Sequence, residues 1–130
     1  MAAAWHGWAN VFSVEIDPWC QRVLARHFPH TAKYRDIREF DGRPYRGRID
    51  VLSGGFPCQP FSGAGRRRGA EDPRHLWPEM RRVIDEIRPS CIVGENVFGL
   101  VPRQEFEQVC RDLEDLGYEV EPVVLPAESV

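Results

Sequence analysis

The chain has 130 residues, 42% of them apolar and 28% charged, with a formal net charge of -3. That length supports one domain burying roughly two-thirds of its unfolded surface, and the composition excludes a low-complexity or repeat protein. The acidic balance speaks against a general nucleic-acid-coating protein, although local contact depends on where the charges lie.

No apolar run is long enough to span a bilayer, and the first residues lack the basic-then-apolar pattern of a signal peptide. No membrane partner is expected, and the expected compartment is the cytoplasm. In chain order, residues 11–16 (VFSVEI) read as a strand rich in branched and aromatic side chains. Asp17 and Pro18 then supply an N-cap and a first-turn proline. Cys20, Val23, Leu24, His27 and Phe28 follow at helical spacing, and Pro29 closes that helix. Residues 32–34 read as a short second strand leading to Asp36 and Ile37. The polar stretch 38–48 reads as a loop, and residues 49–53 (IDVLS) as a buried strand.

Residues 54–75 are rich in glycine, proline and charge, too long and irregular for a passive connection. Leu76 opens a second helix with Met80, Val83, Ile84 and Ile87 on one face, stopped by Pro89. Cys91, Ile92 and Val93 form a further strand ending in Gly94-Glu95-Asn96. A last helix carries Phe106, Val109, Cys110 and Leu113 and ends at Gly117, and residues 118–125 read as a final strand. Strands alternating with helices imply an α/β fold with a largely parallel sheet, whose ligand site lies beyond the carboxyl ends of the strands. Glu15, Asp36, the Pro57-Cys58-Gln59 segment and Glu95 all follow predicted strands, so they are expected to converge on one edge.

The four cysteines show no CxxC pair and no metal-type spacing with histidine, so neither a metal nor a disulfide framework is expected. Cys20, Cys91 and Cys110 sit in apolar patterns and read as core. Cys58 lies between prolines in GGFPCQPFS, where a thiolate could serve as a nucleophile. Glu95 could hold a proton near neutral pH if partly buried, or could be a helix-capping or solvent-facing acid. Glu15 stands where an acid takes ribose hydroxyls in nucleotide-type cofactors, a weak signal by itself. The Arg66-Arg67-Arg68 cluster reads by default as a solvated loop.

GGFPCQPFS followed by GENV resembles the paired catalytic motifs of the DNA cytosine-5 methyltransferases. The EID at residues 15–17 and the RDI at residues 35–37 resemble that family's cofactor-binding segments, in the expected order. The resemblance covers essentially the whole chain. It implies a Rossmann-like S-adenosylmethionine-dependent methyltransferase fold with helices on both faces of the sheet. It also implies methyl transfer to C5 of cytosine in double-stranded DNA, with Cys58 as nucleophile and Glu95 as the acid on the flipped base.

By the same resemblance Glu15 would bind the cofactor ribose, Ile16 its adenine face, and Asp36 and Ile37 the adenine edge and face. Pro57 and Leu76 would line the methionine end. Asn96 would hold the Pro57-Cys58 loop, and Val97 would sit beside the base. Gln59, Ser62, Arg66, Arg67 and Arg68 would lie on a DNA-contacting catalytic loop.

Measured against that family, residues 1–130 read as a partial catalytic domain without the opening strand, its FxGxGG turn or a target-recognition domain. Phe98 stands where a proline is expected. The isolated chain is therefore expected to have little or no activity, and a complementing chain carrying the missing segments is an expected partner. Two rival readings stay open. One is a cysteine hydrolase pairing Cys58 with a histidine such as His75. The other is a non-catalytic binding module.

Overall fold

The computed structural model describes residues 7–56, 76–96 and 104–125. In chain order it contains β1 (Phe12–Val14), α1 (Pro18–His27), β2 (Ala32–Tyr34), a single 3-10 turn (Arg43–Tyr45), β3 (Val51–Gly54), α2 (Trp77–Ile87), β4 (Cys91–Gly94) and α3 (Gln104–Asp115). β1 pairs parallel with β2, setting Phe12 opposite Ala32 and Val14 opposite Tyr34. β3 pairs parallel with β4, setting Val51 opposite Cys91 and Gly54 opposite Gly94. Parallel neighbours need a long crossover, and α1 and α2 supply it in the two cases. The expected α/β architecture with parallel strands is therefore present. Among the described residues the strands form two two-stranded sheets rather than one.

Each helix starts and stops for local reasons. Asp17 caps α1, its Oδ1 accepting from the backbone N–H of Trp19 at 2.8 Å and of Cys20 at 2.9 Å. α2 opens at Leu76 with a proline in its first turn and ends at Arg88, whose left-handed φ of 55° lets its N–H reach the Ile84 carbonyl. Pro89 prevents continuation.

The core is organised by α2. Trp77, Met80, Val83, Ile84 and Ile87 are buried on it, joined by Phe40, Ile49, Leu52 and Val109. Ile84 and Ile87 have no exposed surface, and each such side chain contributes about 1.5–3 kcal/mol of hydrophobic stabilisation. Phe12 and Val14 of β1 pack against the same cluster, so both sheets share one apolar interior.

Three expectations need correction. Residues 38–48 are more than a polar loop. Phe40 is 3% exposed, and Tyr45 stacks on Phe12 at a ring separation of 4.7 Å. Their apolar rings are few, so periodicity gave them no weight. Residues 118–125 form no strand. Pro122 lacks an N–H, residues 121–125 are exposed, and no described ladder pairs with the segment. Its anchor is instead Tyr118, whose hydroxyl donates to the Pro89 carbonyl at 2.8 Å. Finally, Cys91 is exposed, and Cys20 and Cys110 are only half-buried. β4 has an "exposed, half-buried, exposed, exposed" pattern, so its first position is not core.

Candidate active site

β1 and β2 deliver two acids. Glu15 follows β1 and its N–H donates to the Tyr34 carbonyl at 3.0 Å, extending the ladder one residue past the strand. Its Oε1 accepts from the Asp17 N–H at 2.8 Å, which folds the carboxylate over the start of α1. The backbone N–H of Cys20, then that of Trp19, hold the Asp17 carboxyl below the usual aspartate range. Ile16 between them is 55% exposed, and Trp19 in the first turn is 64% exposed. Apolar surface thus lies open beside a half-buried acid.

Asp36 follows β2 in a tight turn of its own. Its Oδ1 accepts from the Arg38 N–H at 2.9 Å and its Oδ2 pairs with the Arg38 guanidinium at 3.4 Å. Ile37 is partly buried against the core. Since Val14 is in register with Tyr34, the two acids leave neighbouring strands at the same end.

β3 and β4 deliver a second pair of segments. The Glu95 N–H donates to the Gly54 carbonyl at 3.1 Å, so Glu95 is the first residue beyond the β3–β4 ladder. The Asn96 side-chain amide donates to the Phe56 carbonyl at 3.2 Å, tying the exit of β4 to the exit of β3. Phe56 stacks on Trp77 at 5.2 Å, which fixes that exit against α2. Gly55 lies so close that a Cβ there would sit 3.4 Å from the Glu95 carbonyl oxygen. The Glu95 side chain is exposed. The partial burial expected of it is therefore not found.

Leu76 stands immediately before α2, its carbonyl accepting from the Met80 N–H at 3.0 Å. Pro57, Cys58, Gln59, Ser62, Arg66, Arg67, Arg68 and Val97 lie outside the described residues, as do His75 and Phe98. The structure thus sets Glu15, Ile16 and Asp36 just past the carboxyl ends of β1 and β2, and Glu95, Asn96 and Phe56 just past those of β3 and β4. Among the described residues no three His, Cys, Asp or Glu side chains gather into a metal-binding group, and no helix is long and apolar enough to cross a membrane.

One neighbour of the Asp36 loop escaped sequence reasoning. Arg82 on α2 reaches the loop after Asp36, donating to the Ile37 carbonyl at 2.6 Å and the Phe40 carbonyl at 2.9 Å. Glu79 and Glu86 hold it from either side, each at 2.9 Å. The remaining Glu86 oxygen accepts from the Gly42 N–H at 2.8 Å. The Glu79-Arg82-Glu86 spacing, with acids three before and four after, is the signal that could have marked the residue.

Comparison with known proteins agrees with the residue-level resemblance. Residues 2–130 match the family described as C-5 cytosine-specific DNA methylase. The chain is 39% identical over 127 residues to the Type II methyltransferase M.Eco47II of Escherichia coli, spanning 93% of this chain and 30% of that protein. It is 42% identical over 96 residues to the Type II methyltransferase M.NgoMIV of Neisseria gonorrhoeae, spanning 73% of this chain and 30% of that one. The structure resembles a crystal structure of a mutant of Spodoptera frugiperda DNMT2 with a TM-score of 0.65 at 23% identity, covering 88% of this chain and 37% of that one. This last similarity carries the fold, the Rossmann-like architecture in which parallel strands bring ligand-binding residues to their carboxyl ends. The chain thus spans under a third of the curated relatives it matches, and it belongs to the C-5 cytosine-specific DNA methylase family.

Proposed function

We propose that this chain is part of the catalytic domain of a DNA cytosine-5 methyltransferase acting on double-stranded DNA, in a restriction-modification setting. The observation that carries the reading is the adjacency of β3 and β4. Gly54 lies opposite Gly94, and Asn96 reaches the Phe56 carbonyl, so the segments leading to PCQ and carrying ENV leave the sheet side by side. A nucleophile and an acid acting on one base require such proximity.

The described residues suit S-adenosylmethionine as cofactor. Exposed Ile16 offers an apolar face, while Glu15 and Asp36 at neighbouring strand ends offer hydroxyl and amine acceptors. When bound, the cofactor supplies an electrophilic methyl group. Ile16 and Ile37 pack on its adenine, Glu15 takes the ribose hydroxyls, Asp36 takes the adenine edge, and Pro57 and Leu76 line the methionine end.

On the DNA side, the target cytosine leaves the stack at a cost of about a few kcal/mol. The Cys58 thiolate adds to C6 of the ring, and Glu95 at N3 and the exocyclic amine stabilises the charge that develops. The C6–S bond makes C5 nucleophilic enough to take the methyl group. With S-adenosylhomocysteine as the leaving group, the C5 proton then passes to water, the C6–S electrons return to the Cys58 thiolate, and the aromatic ring is restored. Asn96 holds the loop bearing Cys58, Val97 flanks the base, and Gln59, Ser62 and Arg66 to Arg68 contact DNA.

A second reading is favoured by the way the strands among the described residues fall into two sheets. In it the chain works only with a complementing polypeptide, and has little or no activity alone. Covalent trapping on DNA containing 5-fluorocytosine, with S-adenosylmethionine present, separates the two. A fluorine at C5 does not leave as a proton does, so a working Cys58 remains attached. An adduct lost in Cys58→Ala supports the first reading. A folded protein that forms no adduct supports the second, and an adduct that survives Cys58→Ala refutes the mechanism.

A further inference from the structure

The loop between β2 and the 3-10 turn carries Asp36 and Ile37 and is clamped at three points, all on α2. Arg82 takes the Ile37 and Phe40 carbonyls with its two terminal nitrogens, at 2.6 and 2.9 Å. Glu86 takes the Gly42 N–H at 2.8 Å. Two carboxylates exceed what one guanidinium needs for neutralisation. Their effect is to fix the plane of the fork, with Glu79 on Nε and Glu86 on Nη1. The Asp36 carboxylate is meanwhile held locally by the Arg38 N–H at 2.9 Å. The turn itself therefore sets where the acid points. Arg82 sets where the turn sits.

We propose that Arg82 is a positioning residue for recognition of the cofactor's base, holding Asp36 and Ile37 in the register that meets the adenine edge and face. The inference rests on the cofactor reading given above and adds a residue to it. Arg82 needs no contact with the cofactor. It acts through the Ile37 carbonyl, one peptide unit from the groups that would touch the base. Discrimination among bases depends on placing hydrogen-bonding groups within a fraction of an ångström, so loosening this anchor affects selectivity more than general affinity. Lysine retains the charge between Glu79 and Glu86 but lacks the planar fork that spans two carbonyls.

The test measures dissociation constants by calorimetry for S-adenosylhomocysteine and for S-inosylhomocysteine, in which the adenine amine is replaced by a carbonyl. The wild-type chain, Arg82→Lys and Arg82→Met are compared, each with its melting temperature. The expected result is that Arg82→Lys melts near the wild type yet binds S-adenosylhomocysteine about tenfold more weakly, as loss of a charged hydrogen bond implies. Binding of the inosine compound changes little, so the preference for adenine narrows. Arg82→Met, read by the same ratio, narrows it further. If both ligands weaken in parallel with stability, or the preference is unchanged, the positioning role is overturned while the cofactor reading stands. If the wild-type chain binds neither compound, the cofactor reading fails and takes this proposal with it.

Discussion

Replacing Gly42 by alanine tests how closely the Asp36 loop is pressed onto α2. The backbone at Gly42 has φ of -82°, so alanine is conformationally welcome and only space is at issue. A Cβ there would lie 2.9 Å from Ile87 Cγ1, 3.1 Å from Glu86 Oε2 and 3.3 Å from Glu86 Cβ. None of these can swing away cheaply. Ile87 has no exposed surface, and Glu86 is committed to Arg82 and to the Gly42 N–H. Overpacking of this kind costs about 1–3 kcal/mol, and a strained Gly42–Glu86 hydrogen bond adds about 1 kcal/mol. The lower unfolded-state entropy of alanine returns about 0.4–1 kcal/mol, leaving a net loss of about 2 kcal/mol.

With an unfolding entropy of about 2.1 cal/mol/K per residue, that loss lowers the melting temperature of a chain this size by about 7 °C. Gly54→Ala is the control. Its Cβ would meet Met80 Cε at 2.8 Å and Sδ at 3.1 Å, a nominally closer clash with the far end of a flexible side chain. Methionine can repack, so the expected loss is under about 1 kcal/mol. Thermal and urea unfolding of both variants decide the matter. If Gly42→Ala melts within about 1 °C of the wild type, or Gly54→Ala proves the more damaging, the clamp is not as described.

Further outcomes follow from the same geometry. The depressed Asp17 carboxyl contributes stability that is present above the ordinary aspartate value and lost as pH falls through its lowered one. Circular dichroism should therefore show helix lost on that acid limb in the wild type, and an Asp17→Ala variant without the limb; identical limbs would contradict the cap. The hydrogen bond that Tyr45 shares with Tyr34 stabilises its neutral hydroxyl and pushes it up to about 12, so its contribution holds below the ordinary tyrosine value and vanishes as pH rises through about 12. Tyrosinate absorbance in Tyr34→Phe should show that component moving down, and an unchanged titration would count against the pair. In a Cys58→Ala background, exposed Cys91 should react with a maleimide before Cys110, whose thiol burial pushes up. Cys110 labelling first would mean that α3 does not sit as described.

How much of this was legible beforehand depended on whether the governing interaction was local. Asp17 and Pro18 announced α1 because capping chemistry acts within a few residues, and residues 32–34 form a strand with the predicted bounds. β1 came out shorter than its apolar run because pairing sets strand length, and its partner spans only three residues. Phe40 and Arg82 meet across 42 residues of chain, and Tyr45 packs on Phe12 of β1, separations to which periodicity is blind. The motif residues rest on resemblance; for Glu15, Asp36, Glu95 and Asn96 the structure adds their hydrogen-bonded neighbours.

The placement of α2 at the centre of the interior also governs the order in which the protein can assemble as it is synthesised. Phe40, Ile49 and Leu52 leave the ribosome well before Trp77 to Ile87, the surface they bury against. Until that helix emerges, the nascent polypeptide holds short strands, an aromatic cluster and α1, none of which encloses an interior. At about 5–20 residues per second the wait lasts seconds, long enough for exposed aromatic side chains to find the wrong partner. Chaperone demand from this part of the protein should therefore be high while the glycine-rich segment before α2 is being translated, and fall as α2, β4 and Val109 become free.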